Sequence, residues 1–190
     1  MSMNAKIILA SQSPRRKQLL EWAEINFDVI IVETEEAYPA GLSFSDIAIH
    51  IARNKALAVI SNHPTDLAVL AADTIVVCEG QVIGKPKNRE EAISTIQLLS
   101  GKTHQVVTGV FIKKGASEIS FADITEVTFH QLTTDQISYY VDQYQPYDKA
   151  GAYAIQEWIG VIGIHSIKGD FYNVMGLPVS RVVKALQELA

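Results

Sequence analysis

The sequence predicts an α/β fold: a mixed twisted sheet flanked by helices. Two observations carry this. Short β-branched runs alternate along the chain with segments of helical period. One run, Leu67 to Val77, is apolar except for Asp73 and Thr74, as suits a central strand buried on both faces. In order, Lys6 to Ala10 reads as a buried strand, and Pro14 as the first residue of a helix capped by Ser13 and running to about Ala23. Phe27 to Glu33 is a second strand, followed by the acidic segment Glu33-Thr-Glu-Glu36. Ser45 or Ser43 caps a helix through Ile60. After the Leu67 to Val77 strand, Glu79-Gly80 is a turn into a short strand, Gln81 to Gly84. Asn88, with Glu91 three residues on, caps a helix that ends before Gly101. Strands are expected over Gln105 to Lys113 and Glu118 to Phe129, then a helix from Thr134 to Tyr144. Trp158 to His165 and Asp170 to Val174 are expected to pair as a hairpin around Lys168-Gly169, and Pro178 opens the last helix.

Composition bounds the function. A chain of 190 residues with 48% hydrophobic content holds one good core, and a single domain over 1–190 is expected. A net charge of −5 argues against a general nucleic-acid binder, which would carry a basic excess. The lone Cys78 allows no internal disulfide and suits a reducing compartment. The stretch MSMNAKIILASQ has too short an apolar run for a signal peptide, and no later segment has the length to span a bilayer, so no membrane association and a cytoplasmic location are expected. No Gly-x-x-x-x-Gly-Lys-Ser/Thr loop, Gly-x-Ser-x-Gly elbow or Gly-x-Gly-x-x-Gly turn is present. Tyr139, Tyr140, Tyr144 and Tyr147 cluster near one helix and read as partly buried packing rather than as a base-stacking platform.

Three features point to chemistry. The strand that ends in Ser11-Gln-Ser13 and runs into a helix places free backbone N–H groups, two hydroxyls and a positive dipole end at one point, with Arg15 and Arg16 adding planar donors. Arginines there oppose the dipole, so either they are solvated or something negative compensates. Lys55 falls on the stripe of Ile47, Ala48, Ile51 and Val59. Its amine either snorkels to the edge or meets anionic groups. On the apolar-face view, Lys55→Met should preserve or raise stability. Asp73, among small and β-branched residues, is costly to bury unless paired, protonated or metal-bound. Glu33, Glu35 and Glu36 share one loop, and Lys85 lies in Gly84-Lys85-Pro86. The histidines at 50, 63, 104, 130 and 165 are scattered, so a hard divalent cation, Mg²⁺ or Mn²⁺, suits the carboxylates better than zinc.

Taken together, Ser11-Gln-Ser13-Pro-Arg15-Arg16, Ala-Arg53-Asn-Lys55-Ala, Ala-Ala-Asp73-Thr74, Gly84-Lys85-Pro86, Asp148-Lys149-Ala-Gly-Ala-Tyr-Ala-Ile-Gln156 and Asn173-Val-Met-Gly-Leu-Pro178 closely resemble the Maf family of nucleoside triphosphate pyrophosphatases. The resemblance covers nearly the whole chain in order. It implies two lobes around a central cleft, a fold similar to the inosine triphosphate pyrophosphatases, and a homodimer. It further implies hydrolysis of a nucleoside triphosphate to the monophosphate and pyrophosphate with a divalent metal cation. The segment Asp148 to Gln156 resembles the branch acting on dTTP and UTP, and modified pyrimidine triphosphates come into question beside them. Ala154 stands where the family often has glycine. By motif, Asp73 matches the catalytic acid/base. Arg15, Thr74 and Gln156 match positions tied to base selection, Ser11, Ser13, Arg16, Lys55 and Lys85 a phosphate cradle, and Glu36 with Asp73 the metal position. A nucleotide-binding regulator of cell division and septum formation, and a 7-methyl-GTP pyrophosphatase, are the other roles the resemblance leaves open.

Overall fold

Alternating β-branched and helical segments build a mixed sheet in a computed structural model that describes residues 5–189. The strands are β1 (Ile7–Leu9), β2 (Phe27–Val29), β3 (Ala68–Cys78), β4 (Gln81–Ile83), β5 (Thr103–Lys114), β6 (Ser117–Phe129) and β7 (Ile164–Lys168). Their order is β2-β1-β3-β5-β6-β7, with β4 paired to β3. β1 runs parallel to both β2 and β3, whereas β4 pairs with β3, and β7 with β6, in antiparallel register. The helices are α1 (Pro14–Trp22), α2 (Phe44–Asn62), α3 (Arg89–Leu99), α4 (Thr134–Tyr144), α5 (Trp158–Gly163), α6 (Phe171–Met175) and α7 (Val179–Glu188), with a 3₁₀ turn at Ala150–Ala152.

The described chain forms two compact units, one from the residues up to Asp73, Thr108–Asp123 and the residues from Gly176 on, the other from Thr74–Val107 and Ile124–Met175. β3, β5 and β6 each pass from one unit to the other. The single domain expected over 1–190 reaches past the described residues at both ends.

The expected caps are in place. Ser13 Oγ accepts the Arg16 N–H, Ser43 rather than Ser45 caps α2, and Asn88 Oδ1 accepts the Glu91 N–H. Glu91 reaches back to the Lys87 N–H instead of to Asn88, so the capping there is one-sided. The reciprocal version forms at Thr133 and Gln136 on α4. The turn Glu79-Gly80 has both residues at positive φ, the geometry of a tight hairpin. β2 is shorter than expected because the chain leaves the sheet after Val29; Ile30 and Val32 still pack on the core.

The hairpin expected near Lys168-Gly169 does not form. Trp158–Gly163 is a helix, Phe171–Met175 is another, and β7 between them pairs with β6. The run of β-branched residues from Trp158 mimics a strand, yet the backbone coils because it closes directly on the preceding turn: a Cβ on Gly160 would lie 1.7 Å from the Ile155 carbonyl oxygen.

In the first unit, α2 lies close to the sheet. Ala48, Ala52 and Ala56 recur at four-residue spacing without exposed surface, and on β5 a Cβ at Gly109 would meet the Ala48 backbone carbon at 2.2 Å. Ala52, Ala56, Val59, Ile8, Val69, Ala71 and Phe111 close this core. The resulting approach sets Lys55, next to Ala56, within side-chain reach of β3.

In the second unit the core holds a histidine. His104 is buried; its Nε2 lies 2.8 Å from the Tyr153 hydroxyl, and its ring meets Phe129 and Tyr153 edge-on at 5.3 and 5.4 Å. Its Nδ1 has no hydrogen-bond partner. Burial pushes the imidazole down to about 4 and the Tyr153 phenol well up. His104 is therefore neutral in the folded protein at pH 7, while the unfolded chain takes up a proton near pH 6.5. Stability is present in full above pH 6.5 and is lost as the pH falls toward 4. Over that window of about 2.5 pH units the loss should reach about 3 kcal/mol. Urea unfolding at pH 7, 6, 5 and 4 measures it, and His104→Gln should flatten the slope by that amount.

Candidate active site

β1 ends at Leu9 and the chain turns through Ser11 and Ser13 into α1. The Ser11 hydroxyl accepts the Ser13 N–H at 3.2 Å and a hydrogen bond from Arg16 Nη1 at 3.1 Å. Arg16 is 8% exposed, and its Nε donates to the Gly176 carbonyl at 2.8 Å. The guanidinium is thus oriented by one hydroxyl and one backbone oxygen. Ser13 spends its Oγ on the helix cap.

The counter-charge that the two arginines call for is present. Asp73, on β3, is 7% exposed; Lys55 Nζ lies 2.6 Å from its Oδ1 and 2.8 Å from Glu36 Oε1. Burial holds the Arg16 guanidinium below its ordinary value. The Asp73 carboxylate opposes that, neighbouring Arg15 adds to it, and Glu36 opposes it. Three cations, Arg15, Arg16 and Lys55, and two carboxylates thus share one neighbourhood in the first unit, and the amine of Lys55 meets anions rather than snorkelling to solvent. Of the three glutamates in the loop, Glu36 is the one that bonds Lys55.

Glu36 and Asp73 fit a hard cation. Their oxygens converge on a single ammonium, and both are carboxylates, the donors Mg²⁺ and Mn²⁺ prefer. Among the described residues, no three His, Cys, Asp or Glu side chains group for a metal, so phosphate oxygens and water would have to complete such a shell.

Thr74, Lys85 and Gln156 belong to the second unit. Thr74 is half-buried on β3, Lys85 is exposed after β4, and Gln156 is exposed in a turn that follows five buried residues. The Gly151 N–H donates to the Gly84 carbonyl at 3.2 Å, and Gly151 backs onto the Val76 side chain, two residues along β3 from Thr74. The three motif blocks that carry Thr74, Lys85 and Gln156 are therefore tied together within this unit.

Some participants escape a reading of the sequence. The Gly176 carbonyl that holds Arg16 is a backbone group, 160 positions away, and no residue type announces it. Buried Lys149 and Tyr140 meet half-buried Glu157 around the Gln156 turn: Lys149 Nζ is 3.6 Å from Glu157 Oε1, and the Tyr140 hydroxyl bonds Glu157 Oε2. Tyr140 is fully buried, unlike Tyr139, Tyr144 and Tyr147. The acidic residue next to Gln156 was the available signal.

Residues 6–189 match the family model described as Maf-like protein. The chain is 51% identical over 186 residues to a dTTP/UTP pyrophosphatase of Cytophaga hutchinsonii, covering 98% of this chain and 85% of that protein. It is 48% identical to one of Phocaeicola vulgatus, covering 97% and 96%, and 49% identical to one of Bacillus cereus, covering 96% and 95%. Two solved structures share the fold. A HAM1 protein from Coxiella burnetii has a TM-score of 0.52 at 18% identity, covering 96% of this chain and 98% of that one. The Staphylococcus aureus Ham1 protein has a TM-score of 0.53 at 14% identity, covering 97% and 100%.

The observed ion pairs overturn the expectation for Lys55→Met. The variant would leave Asp73 buried without its ammonium, and the lost pairing outweighs the gain of an apolar side chain. Lys55→Met should unfold at lower denaturant with a loss of about 3 kcal/mol, read from urea midpoints at unchanged slope.

Proposed function

The chain belongs to the Maf-like protein family, and on that premise we propose that it hydrolyses dTTP, UTP and modified pyrimidine nucleoside triphosphates to the monophosphate and pyrophosphate, a nucleotide-pool housekeeping role. The names of relatives at 48–51% identity over nearly the full chain support the substrate class. The observation that carries the chemistry is the bridge from Lys55 to Asp73 and Glu36, beside the oriented Arg16.

In this account Asp73 is the general base. Lys55 engages Oδ1, and Oδ2 accepts the proton of a water attacking the α-phosphorus. The bond from that phosphorus to the bridging oxygen breaks, and pyrophosphate leaves with the electron pair. Lys55 is a cation held by two carboxylates, a position from which phosphate oxygens can compete for it. Ser11, Ser13, Arg16 and Lys85 complete the phosphate contacts, with charge stabilised where it develops on the leaving group. Glu36 and Asp73 would hold Mg²⁺ or Mn²⁺, which when bound supplies charge neutralisation on the phosphates and a more acidic water. Arg15, Thr74 and Gln156 are assigned to the base. A glutamine amide offers a donor and an acceptor together, matching the imide N–H and carbonyl of thymine or uracil. From the family resemblance we also carry over a cytoplasmic homodimer; no helix among the described residues is long and apolar enough to cross a membrane.

Pyrophosphate release from dTTP, UTP, CTP, ATP, GTP and 7-methyl-GTP with Mg²⁺ or Mn²⁺ tests this proposal. The expected outcome is a preference for dTTP and UTP. Asp73→Asn should still bind dTTP but turn over at least about a hundredfold more slowly, the range of a lost general base. Near-normal turnover in Asp73→Asn, or a preference for 7-methyl-GTP, would contradict it.

A further inference from the structure

The segment that presents Gln156 is held from below by polar groups that no hydrolytic step uses. Tyr140 projects from α4 with no exposed surface, and its hydroxyl is engaged twice. It donates to Glu157 Oε2 and accepts the Ala154 N–H at 3.1 Å. Glu157 in turn faces Lys149, whose Nζ also lies 2.7 Å from Asp148 Oδ1. The Glu157 backbone closes the turn, donating to the Ala154 carbonyl at 3.1 Å and accepting from Gly160 at 2.9 Å. One phenol and one carboxylate thereby fix residues 149, 154 and 157, the start, middle and end of a single segment.

The path of that segment needs fixing. Gly151 and Ala152 have φ of 72° and 58°, and an alanine in the left-handed region persists only where its surroundings over-determine it. Residues 151 to 155 are buried while Gln156 is exposed, so the turn delivers one amide to the surface. A partly buried, hydrogen-bonded polar network of this kind contributes little net stability for the desolvation it costs, but it does select one conformation.

We propose that Tyr140 and Glu157 are positioning residues for base selection: they hold the 154–157 turn so that the Gln156 amide is offered in one orientation. This inference rests on the assignment of Gln156 to the base made above. Neither residue is among those assigned to the phosphates, so their loss acts on which nucleotide is bound rather than on how fast it is cleaved.

Tyr140→Phe removes the hydroxyl and keeps the ring. The ratio of kcat/KM for dTTP to that for CTP should fall roughly tenfold, as expected for a small misplacement. The change should lie in KM for dTTP, with kcat little altered. Amide ¹⁵N relaxation should show added motion at residues 154–157. Glu157→Gln retains an acceptor for the phenol and should keep most of the preference, whereas Glu157→Ala should lose it. If Tyr140→Phe does not fold, the contrast between the two Glu157 variants carries the test, and equal ratios overturn the proposal. An unchanged ratio in Tyr140→Phe, where Gln156→Ala does abolish the preference, overturns the positioning role and leaves the base assignment standing. Equal hydrolysis of every nucleotide by the unmodified enzyme removes the base assignment and the positioning role together.

Discussion

Asp73 is a carboxylate placed in a strand buried along almost its whole length, and Lys55 comes down on it from α2 to supply the countercharge. Much of the first unit serves that approach. Three alanines in register and the missing side chain at Gly109 bring the helix close to the strands, which is what allows a side chain of lysine length to reach β3. Glu36 then meets the same ammonium from an irregular loop, and Arg16 is steered into the neighbourhood by Ser11 and Gly176. Charges held this way are preorganised, and under the proposed function a triphosphate would meet cations already gathered at one place.

The second unit solves a different problem with similar means. Its polar groups are not arranged around an ionised acid on a strand but under a turn. The Gly151 contacts to Gly84 and Val76 anchor the near side of that turn, and Tyr140 with Glu157 the far side. His104 and Tyr153 add a neutral hydrogen bond within an aromatic cluster, so the residue before Ala154 is also fixed. The role proposed for Gln156 needs such rigidity, since an amide free to rotate pairs with any base edge.

What the sequence reveals follows the range of each interaction. Caps act within three residues, so Ser13, Asn88 and the β3–β4 turn are legible directly. The apolar stripe of α2 identifies Lys55 as misplaced, and the apolar run of β3 does the same for Asp73, but the bond between them spans 18 positions and no local pattern contains it. The choice of Glu36 over Glu33 and Glu35 is likewise set by where the loop lies, not by residue type. Helix α5 is illegible for a physical reason: six residues rich in β-branched side chains favour a strand, and only close packing of Gly160 on Ile155 reverses that. The tyrosine cluster shows the same limit, because burial of Tyr140 alone among the four depends on Ala154 and Glu157 lying beneath it.

The dependence of Asp73 on Lys55 can be measured without any nucleotide. In a double-mutant cycle of Lys55→Met and Asp73→Asn, followed by urea unfolding, the account predicts that the second substitution largely relieves the damage of the first, with a coupling energy of about 2 kcal/mol or more. Additive effects, agreeing within about 0.5 kcal/mol, would mean that the two charges do not sustain one another, and the arrangement built on them here would be contradicted.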